Sequence, residues 1–284
     1  MQSVGKLEQL DAIVGGWRRE GLTIGFVPTM GNLHAGHHSL VARARREADR
    51  VVASIFVNPT QFGPNEDFDR YPRTPEADAR GLAGSGCDLL FLPSVATMYP
   101  YGPDGSVRVR VPGITDILDG AHRPGHFDGV ATVVARLFNM VRPDLAVFGR
   151  KDYQQLQVIH YLVRDLAFPV RIVGADTVRE PDGLAMSSRN QYLDAAERQR
   201  ATAIHATLRW IRSQVPAAGE VEAVEAGAVA RLRSEGFEVD YVSVRHLDLA
   251  PARRMDEGGL VALVAARLGR TRLIDNLLLD AAVG

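Results

Sequence analysis

The sequence is poor in cysteine, in net charge and in long apolar runs, and each scarcity excludes a class of protein. Its one cysteine, Cys87, leaves no partner for an intrachain disulfide or a cysteine-based zinc cluster. The net charge is −1, so the chain lacks the basic excess typical of proteins that bind nucleic-acid phosphates. No run of 18 apolar residues occurs, and the first residues form no apolar leader segment. We therefore expect a cytoplasmic protein with neither a nucleic-acid nor a membrane partner.

Lysine is also scarce, since Lys6 and Lys151 are the two lysines among 33 basic residues. Such a bias follows genome composition, but it draws attention to Lys151. A lysine is a compact charge that enters a tight site where arginine does not fit. Simple sampling is the alternative explanation.

The composition is otherwise that of a globular protein. Of the 284 residues, 46% are hydrophobic and 24% are charged, which is enough apolar material for a sizeable core. This length predicts two domains or one large one.

The first half alternates between strand-like and helix-like segments. Predicted strands cover residues 22–27, 51–57, 88–92, 145–148 and 170–173, and predicted helices cover 39–50, 75–83, 129–141 and 153–166. Strands that are apolar throughout and alternate with helices indicate a parallel sheet covered on both faces. We expect an α/β fold with a doubly wound, Rossmann-like parallel sheet over residues 1–177.

The character changes after about residue 178. Helices are predicted at 194–215 and 220–235, and strands at 239–247, 260–268 and 271–276. Asp194 and Glu197 suit the N-cap and N3 positions of the first helix, and Gly269 with Arg270 suits a hairpin turn. Helices followed by strands predict a second, smaller α+β domain over residues 178–284.

Residues 28–37 (PTMGNLHAGH) lie where the first predicted strand ends and a helix begins. Ligands bind at the carboxyl ends of strands in such sheets, and a helix N-terminus attracts phosphate. His34 and His37 are three residues apart and are expected to share one face of the first helical turn. Two imidazoles donating to phosphate oxygens would stabilise developing charge. The alternatives are ordinary polar residues at a helix start, or a metal pair, which lacks an evident third ligand.

This segment resembles the His-x-Gly-His signature of the nucleotidylyl-transferase superfamily. A closer resemblance, over nearly the whole chain, is to the pantothenate synthetase (pantoate–β-alanine ligase) family. Further blocks carry it, at residues 56–63 (FVNPTQFG), 71–74 (YPRT), 123–130 (RPGHFDGV), 148–155 (FGRKDYQQ) and 186–190 (MSSRN). Five ordered blocks at compatible spacing are far more specific than any one of them.

The resemblance implies an AMP-forming ligase of coenzyme A biosynthesis. Family members condense (R)-pantoate with β-alanine to give pantothenate, AMP and pyrophosphate, through a pantoyl-adenylate intermediate. They use ATP, require Mg²⁺ and are typically cytoplasmic homodimers. We expect the domain over residues 178–284 to act as a lid, and we assign no protein ligand to the metal.

The resemblance also implies the site residues. Those expected at ATP are Met30, Gly31, Asn32, Leu33, His34, Ala35, Gly36, His37, Gly149, Arg150, Lys151, Asp152, Val178, Met186, Ser187, Ser188 and Arg189. Of these, His34, His37, Lys151, Ser187, Ser188 and Arg189 are expected to be catalytic. Residues 186–189 resemble a degenerate Lys-Met-Ser-Lys-Ser loop. Gln61 and Gln155 are expected to bind pantoate beside the β-alanine site, although Gln155 read alone suits an exposed helix position.

Two other function classes remain open at this point. One is an adenylyltransferase acting on a different acceptor, and the other is a non-catalytic ATP-binding module. The presence of His34, His37 and Lys151 together argues against the second, because binding alone does not need donors to the transition state.

Overall fold

The computed structural model describes residues 1–64, 66–217 and 219–279. The chain divides into two compact units. Unit 1 comprises Met1–Arg150 and Gln154–Asp176, and unit 2 comprises Lys151–Tyr153 and Thr177–Gly284. Within the described residues, no helix is both long enough and apolar enough to cross a membrane.

Unit 1 is built on a six-stranded sheet in which every pairing is parallel. The strands are β1 (Gln2–Val4), β2 (Ile24–Thr29), β3 (Arg50–Ile55), β4 (Leu89–Phe91), β5 (Leu145–Gly149) and β6 (Arg171–Ala175), in the order β1-β4-β3-β2-β5-β6. The helices are α1 (Leu7–Arg19), α2 (Ala35–Arg45), α3 (Pro75–Gly84), α4 (Val95–Met98), α5 (Gly102–Gly105), α6 (Asp119–His122), α7 (His126–Val141) and α8 (Tyr153–Asp165), the last beginning at the unit boundary. The predicted α/β class is confirmed.

Apolar side chains cover both faces of this sheet. On one face, Val27 and Val147 pack in a buried cluster with Val41 of α2 and Leu82 of α3. Elsewhere, Phe138 of α7 lies edge-on to Phe26 and Phe148, with ring centroids 6.4 Å apart in each pair. Strands buried on both sides explain the uninterrupted apolar runs in the sequence.

The strand order places a topological switch point between β2 and β5. The chain moves outward from β2 through β3 to β4, then returns to add β5 and β6 on the other side of β2. Pairing of β2 with β5 is recorded at Gly25 and Phe26, whereas β2 runs alongside β3 through Thr29. Ligands of doubly wound sheets bind outside the carboxyl ends of strands at such a point.

Unit 2 contains an antiparallel sheet, β7 (Glu238–His246), β8 (Leu260–Leu268) and β9 (Thr271–Leu278), in that order. Its helices are α9 (Ala195–Arg200), α10 (Ala203–Ser213) and α11 (Val221–Ser234). Ile204, Leu208 and Ile211 of α10 are buried in one apolar cluster with residues of α11 and the sheet. The predicted hairpin turn at Gly269, where φ is +55°, and the Asp194 capping box are confirmed.

Several predicted boundaries are wrong. The helix predicted at 194–215 is two helices, and the Thr202 hydroxyl at their joint donates to the Gln199 carbonyl. Such a bond competes with regular helix geometry. The helix predicted at 39–50 runs from Ala35 to Arg45, and Asp49 instead accepts hydrogen bonds from Thr23 at the edge of β2.

The first strand and first helix were not predicted. β1 has three residues, too few to show a period of two, and α1 buries little beyond Leu10 and Val14.

Candidate active site

A left-handed turn joins β2 to α2 at the switch point. Gly31 has φ +87° and Asn32 has φ +51°. A Cβ on Gly31 would lie 3.0 Å from the Ile55 side chain and 3.2 Å from Asp78 Oδ2. The positive φ favours glycine at position 31, and a Cβ there would also be in tight contact with both neighbours.

Asp78, on α3, holds this turn in place. Its buried carboxylate accepts from the Asn32 N–H at 2.9 Å and from the Leu33 N–H at 2.8 Å, one bond to each oxygen. The Thr74 hydroxyl donates to Oδ1 at 3.1 Å. The sequence analysis missed Asp78, because nothing local to residues 74–78 marks a bond to a turn 45 residues away.

His34 and His37 lie together at the start of α2. His34 is the N-cap, outside the first helical turn where we expected it, and its Nδ1 accepts from the Gly36 N–H at 3.1 Å. His37 Nδ1 accepts from the His34 N–H at 3.3 Å, and the ring centroids are 4.2 Å apart. Because both Nδ1 atoms accept, each neutral ring carries its proton on Nε2. Both Nε2 atoms are thus hydrogen-bond donors at a helix N-terminus.

Gln61 lies in a short 3₁₀ helix, Pro59–Gln61, after β3. Its Oε1 accepts from Nδ2 of the buried Asn58 at 3.1 Å, and Asn58 is held in turn by the Tyr99 hydroxyl at 2.7 Å. This fixes the amide so that Gln61 Nε2 faces Met30, with Sδ at 2.9 Å. A donor end is therefore directed at the turn that leads to His34.

Two segments of unit 2 carry the other predicted phosphate contacts. In the first, Met186 N–H donates to the Val178 carbonyl at 3.0 Å, so residues 178–186 form a hairpin that brings these two predicted site residues together. Ser187 then caps a 3₁₀ helix, Ser188–Tyr192, by accepting from the Arg189 N–H at 3.3 Å. The predicted contacts Ser187, Ser188 and Arg189 are thus consecutive at one cap.

The second segment carries Lys151. Its Nζ lies 3.5 Å from Asp152 Oδ1, and 18% of its side chain is exposed. Its backbone carbonyl accepts from Asn276 Nδ2 at 2.8 Å, on β9. Lys151 is thus a partly buried charge on a tethered backbone.

Comparison with known proteins supports one family. The family model described as pantoate-beta-alanine ligase matches residues 2–278. The chain is 60% identical to the pantothenate synthetase of Stenotrophomonas maltophilia strain R551-3 over 277 residues, covering 98% of this chain and 99% of that protein. For the pantothenate synthetase of Xylella fastidiosa strain M12, the identity is 61% over 278 residues, with the same coverage.

Solved structures agree with this result. The crystal structure of pantothenate synthetase from Thermus thermophilus matches with a TM-score of 0.92 and 48% identity, over 99% of this chain and 100% of that one. The chain belongs to the pantoate–β-alanine ligase family. A second structure of the family, from Francisella tularensis, matches with a TM-score of 0.84 and 34% identity over 99% of each chain. That protein was crystallised with beta-gamma ATP and beta-alanine.

Family membership removes the two alternative function classes, and the protein is an enzyme that joins pantoate to β-alanine. The structure also explains the glycine at position 129, in the block at residues 123–130. A Cβ on Gly129 would lie 2.4 Å from the Thr60 carbonyl oxygen, so only glycine lets α7 pack against the Gln61 segment.

His126, in the same block, contacts the backbone of Gln61. Its Nδ1 donates to the Gln61 carbonyl at 2.8 Å, and Nε2 accepts from Arg123 at 2.9 Å. Arg123 also forms two 2.6 Å hydrogen bonds with Glu66. Burial and the Arg123 charge lower the pKa of His126 to about 4. His126 is therefore neutral at pH 7, and its hydrogen bonds shape the loop.

The remaining predicted residues of unit 1 lie at the end of β5 and near the start of α8. Gly149 is the last residue of that strand, and Arg150 forms a 2.7 Å ion pair with Asp176 after β6. Gln155 is half-buried on the first turn of α8. Its neighbour Gln154 is buried and bonds the backbone of Ile114, Ile117 and Asp119.

Proposed function

We propose that this enzyme joins pantoate to β-alanine in two steps through pantoyl adenylate, converting ATP to AMP and pyrophosphate. The observation that carries the proposal is the pair of imidazole Nε2 donors at the N-terminus of α2, beside the switch point of the sheet.

In the first step, a carboxylate oxygen of pantoate attacks the α-phosphorus of ATP, and the bond from that phosphorus to pyrophosphate breaks. The substrate supplies the nucleophile, so the protein's part is positioning and charge stabilisation. His34 and His37 donate Nε2–H to phosphate oxygens, while the left-handed turn at Gly31 lets the nucleotide approach the backbone. In unit 2, Lys151 and Arg189 bind the β- and γ-phosphates, together with the hydroxyls of Ser187 and Ser188.

In the second step, the amine of β-alanine attacks the carbonyl carbon of the adenylate. The C–N bond forms, the C–O bond to AMP breaks, and the amine loses a proton. Gln61, whose amide is oriented by Asn58, donates to pantoate from the side that faces Met30. Gln155 supplies a second polar contact to pantoate.

Mg²⁺ fits this scheme as an ion that would be held chiefly by phosphate oxygens and water. Within residues 1–64, 66–217 and 219–279, no group of three or more His, Cys, Asp or Glu could hold a metal. A triphosphate-held ion needs no such group. A cytoplasmic homodimer and a lid role for residues 178–284 stay predictions.

Isotope exchange of pyrophosphate into ATP tests the adenylate route. With pantoate and Mg²⁺ present and β-alanine absent, we expect exchange that depends on pantoate, and AMP release once β-alanine is added. Exchange that occurs equally without pantoate, or no exchange from protein that still makes pantothenate, would contradict the route. Omitting Mg²⁺ should abolish exchange.

A further inference from the structure

Two segments of unit 2 that we assign to the ATP phosphates are bonded to the same pair of residues on β9. These are Asp275 and Asn276, with 3% of the Asp275 side chain exposed and Asn276 buried as well. Neither belongs to a sequence block that carried the family resemblance.

Asp275 holds the hairpin at residues 178–186 through Arg179. Arg179 Nη1 lies 2.6 Å from Asp275 Oδ2, and Nη2 lies 3.1 Å from Oδ1, so the pair is bidentate. The same guanidinium donates to the Gly183 carbonyl at 3.1 Å and to the Asn276 carbonyl at 3.3 Å. A planar guanidinium with several fixed partners defines the orientation of the hairpin. A single flexible contact would not do so.

Asn276 holds the segment at Lys151. Its Nδ2 donates to the Lys151 carbonyl at 2.8 Å, and its own N–H donates to Asp275 Oδ1 at 2.8 Å. One continuous chain of hydrogen bonds therefore runs from the hairpin through Arg179, Asp275 and Asn276 to the backbone of Lys151.

We propose that Arg179, Asp275 and Asn276 are positioning residues that fix Lys151 and the Ser187–Arg189 segment relative to one another for contact with one triphosphate. The inference rests on the proposed function of those segments. Displacing a phosphate-binding group by about 1 Å is enough to cost roughly 100-fold in rate, so a rigid tether has a direct catalytic consequence.

The same sheet supplies a matched control for a purely structural role. Arg272, also on β9, forms a 2.7 Å ion pair with Asp240 on β7, and the two side chains are 14% and 13% exposed. Removing the charge of Asp240 breaks this partly buried ion pair, which lies in the same sheet as Asp275. Asp240→Asn should therefore lower stability without the catalytic effect of Asp275→Asn.

The experiment is a double-mutant cycle read by pantoate-dependent pyrophosphate exchange. Asn276→Ala should lower kcat about tenfold, with the KM for pantoate unchanged, because the Lys151 backbone loses its tether. Adding Asn276→Ala to Lys151→Ala should lower kcat by less than about twofold further, because the residues act through one another. Asn276→Ser serves in the same cycle if the alanine variant does not fold.

Asp275→Asn and Asp240→Asn complete the design, compared at a temperature where thermal melts show both to be folded. We expect a loss in kcat of tenfold or more for Asp275→Asn and less than about twofold for Asp240→Asn. Equal losses in the two variants, or multiplying effects of Asn276→Ala and Lys151→Ala, would overturn the positioning role. Absence of pantoate-dependent exchange in the unmodified enzyme would instead contradict the proposed function.

Discussion

The two regions assigned to ATP phosphates are built in different ways. The turn and helix start after β2 are held by bonds within a few residues of one another, with one added carboxylate, Asp78. The Lys151 segment and the hairpin of unit 2 are held by β9, which lies 125 and 96 residues away in the chain at Asn276 and Asp275.

This difference shows what fixes the geometry of each region. A helix N-terminus provides its own donors and its own cap, so a short stretch of sequence suffices to aim His34 and His37. The Lys151 loop and the hairpin at residues 178–186 are fixed differently. Their geometry depends on buried polar partners from another part of the chain.

Lys151→Ala is expected to have the largest effect. Removing one donor to the transition state should lower pantoate-dependent pyrophosphate exchange by roughly 100-fold or more. Lys6, the other lysine of the chain, is exposed and provides the matched control. A folded Lys151→Ala enzyme with the rate of Lys6→Ala would remove Lys151 from the phosphate site.

His37→Ala and His34→Ala should each slow adenylate formation by about 10- to 100-fold, since each removes one Nε2 donor while the other remains. Single-turnover rates with ATP and pantoate measure this step alone. His38→Ala is the control, because His38 lies in the same helix and contacts Ser85. An effect confined to amide formation would show that the pair is misassigned.

Asp78→Asn should lower the same single-turnover rate about tenfold, because the amide NH₂ presents a donor where the turn needs an acceptor. Glu76→Gln, an exposed change on the same helix, should be neutral. If the turn region is as self-sufficient as its local bonds suggest, the loss will be smaller than that for Asp275→Asn. A larger loss would reverse the comparison between the two regions.

Gln61→Ala should raise the KM for pantoate about tenfold and change the KM for ATP little, because the lost contact is to the hydroxy acid. Steady-state kinetics with each substrate varied in turn provide both values. Equal changes in the two KM values would argue that Gln61 acts on the fold of the loop instead of on pantoate.

The pH dependence of stability should report His126. Its folded pKa of about 4 lies below its ordinary value of 6.5, so the unfolded chain binds the proton first. Its contribution to the free energy of unfolding is therefore complete above about pH 6.5 and is lost as the pH falls toward 4.

Protonation of Glu66 lowers the free energy of unfolding further at lower pH. Burial raises the pKa of its carboxyl, but the Arg123 hydrogen bonds and charge outweigh burial and leave the pKa below its usual value. Urea titrations at pH 7 and pH 5 should show a smaller difference for His126→Gln than for the unmodified enzyme. An unchanged difference would exclude His126 as the group responsible.

The sequence predicted most of what is local. Apolar runs and capping residues located the later strands of the parallel sheet and the Asp194 cap, and the His-x-Gly-His stretch lies at a helix start as expected. The strand β1 was missed because three residues carry no period.

The supporting residues of the site could not be predicted in the same way. Asp78 and Asp275 are single polar residues whose importance comes from burial and from partners distant in the chain. A carboxylate beside no motif has the same sequence signature whether it is solvated or buried. Their roles require the fold, although the blocks that they support were visible in the sequence.

The central claim, that a carboxylate oxygen of pantoate attacks the α-phosphorus of ATP, is tested most directly by following oxygen atoms. Pantoate labelled with oxygen-18 in its carboxylate is incubated with the enzyme, β-alanine and ATP. The isotope content of the products is then measured by mass spectrometry. The account predicts one labelled oxygen in the phosphate of AMP for each pantothenate formed. Unlabelled AMP, with the label in inorganic phosphate or pyrophosphate, would contradict it.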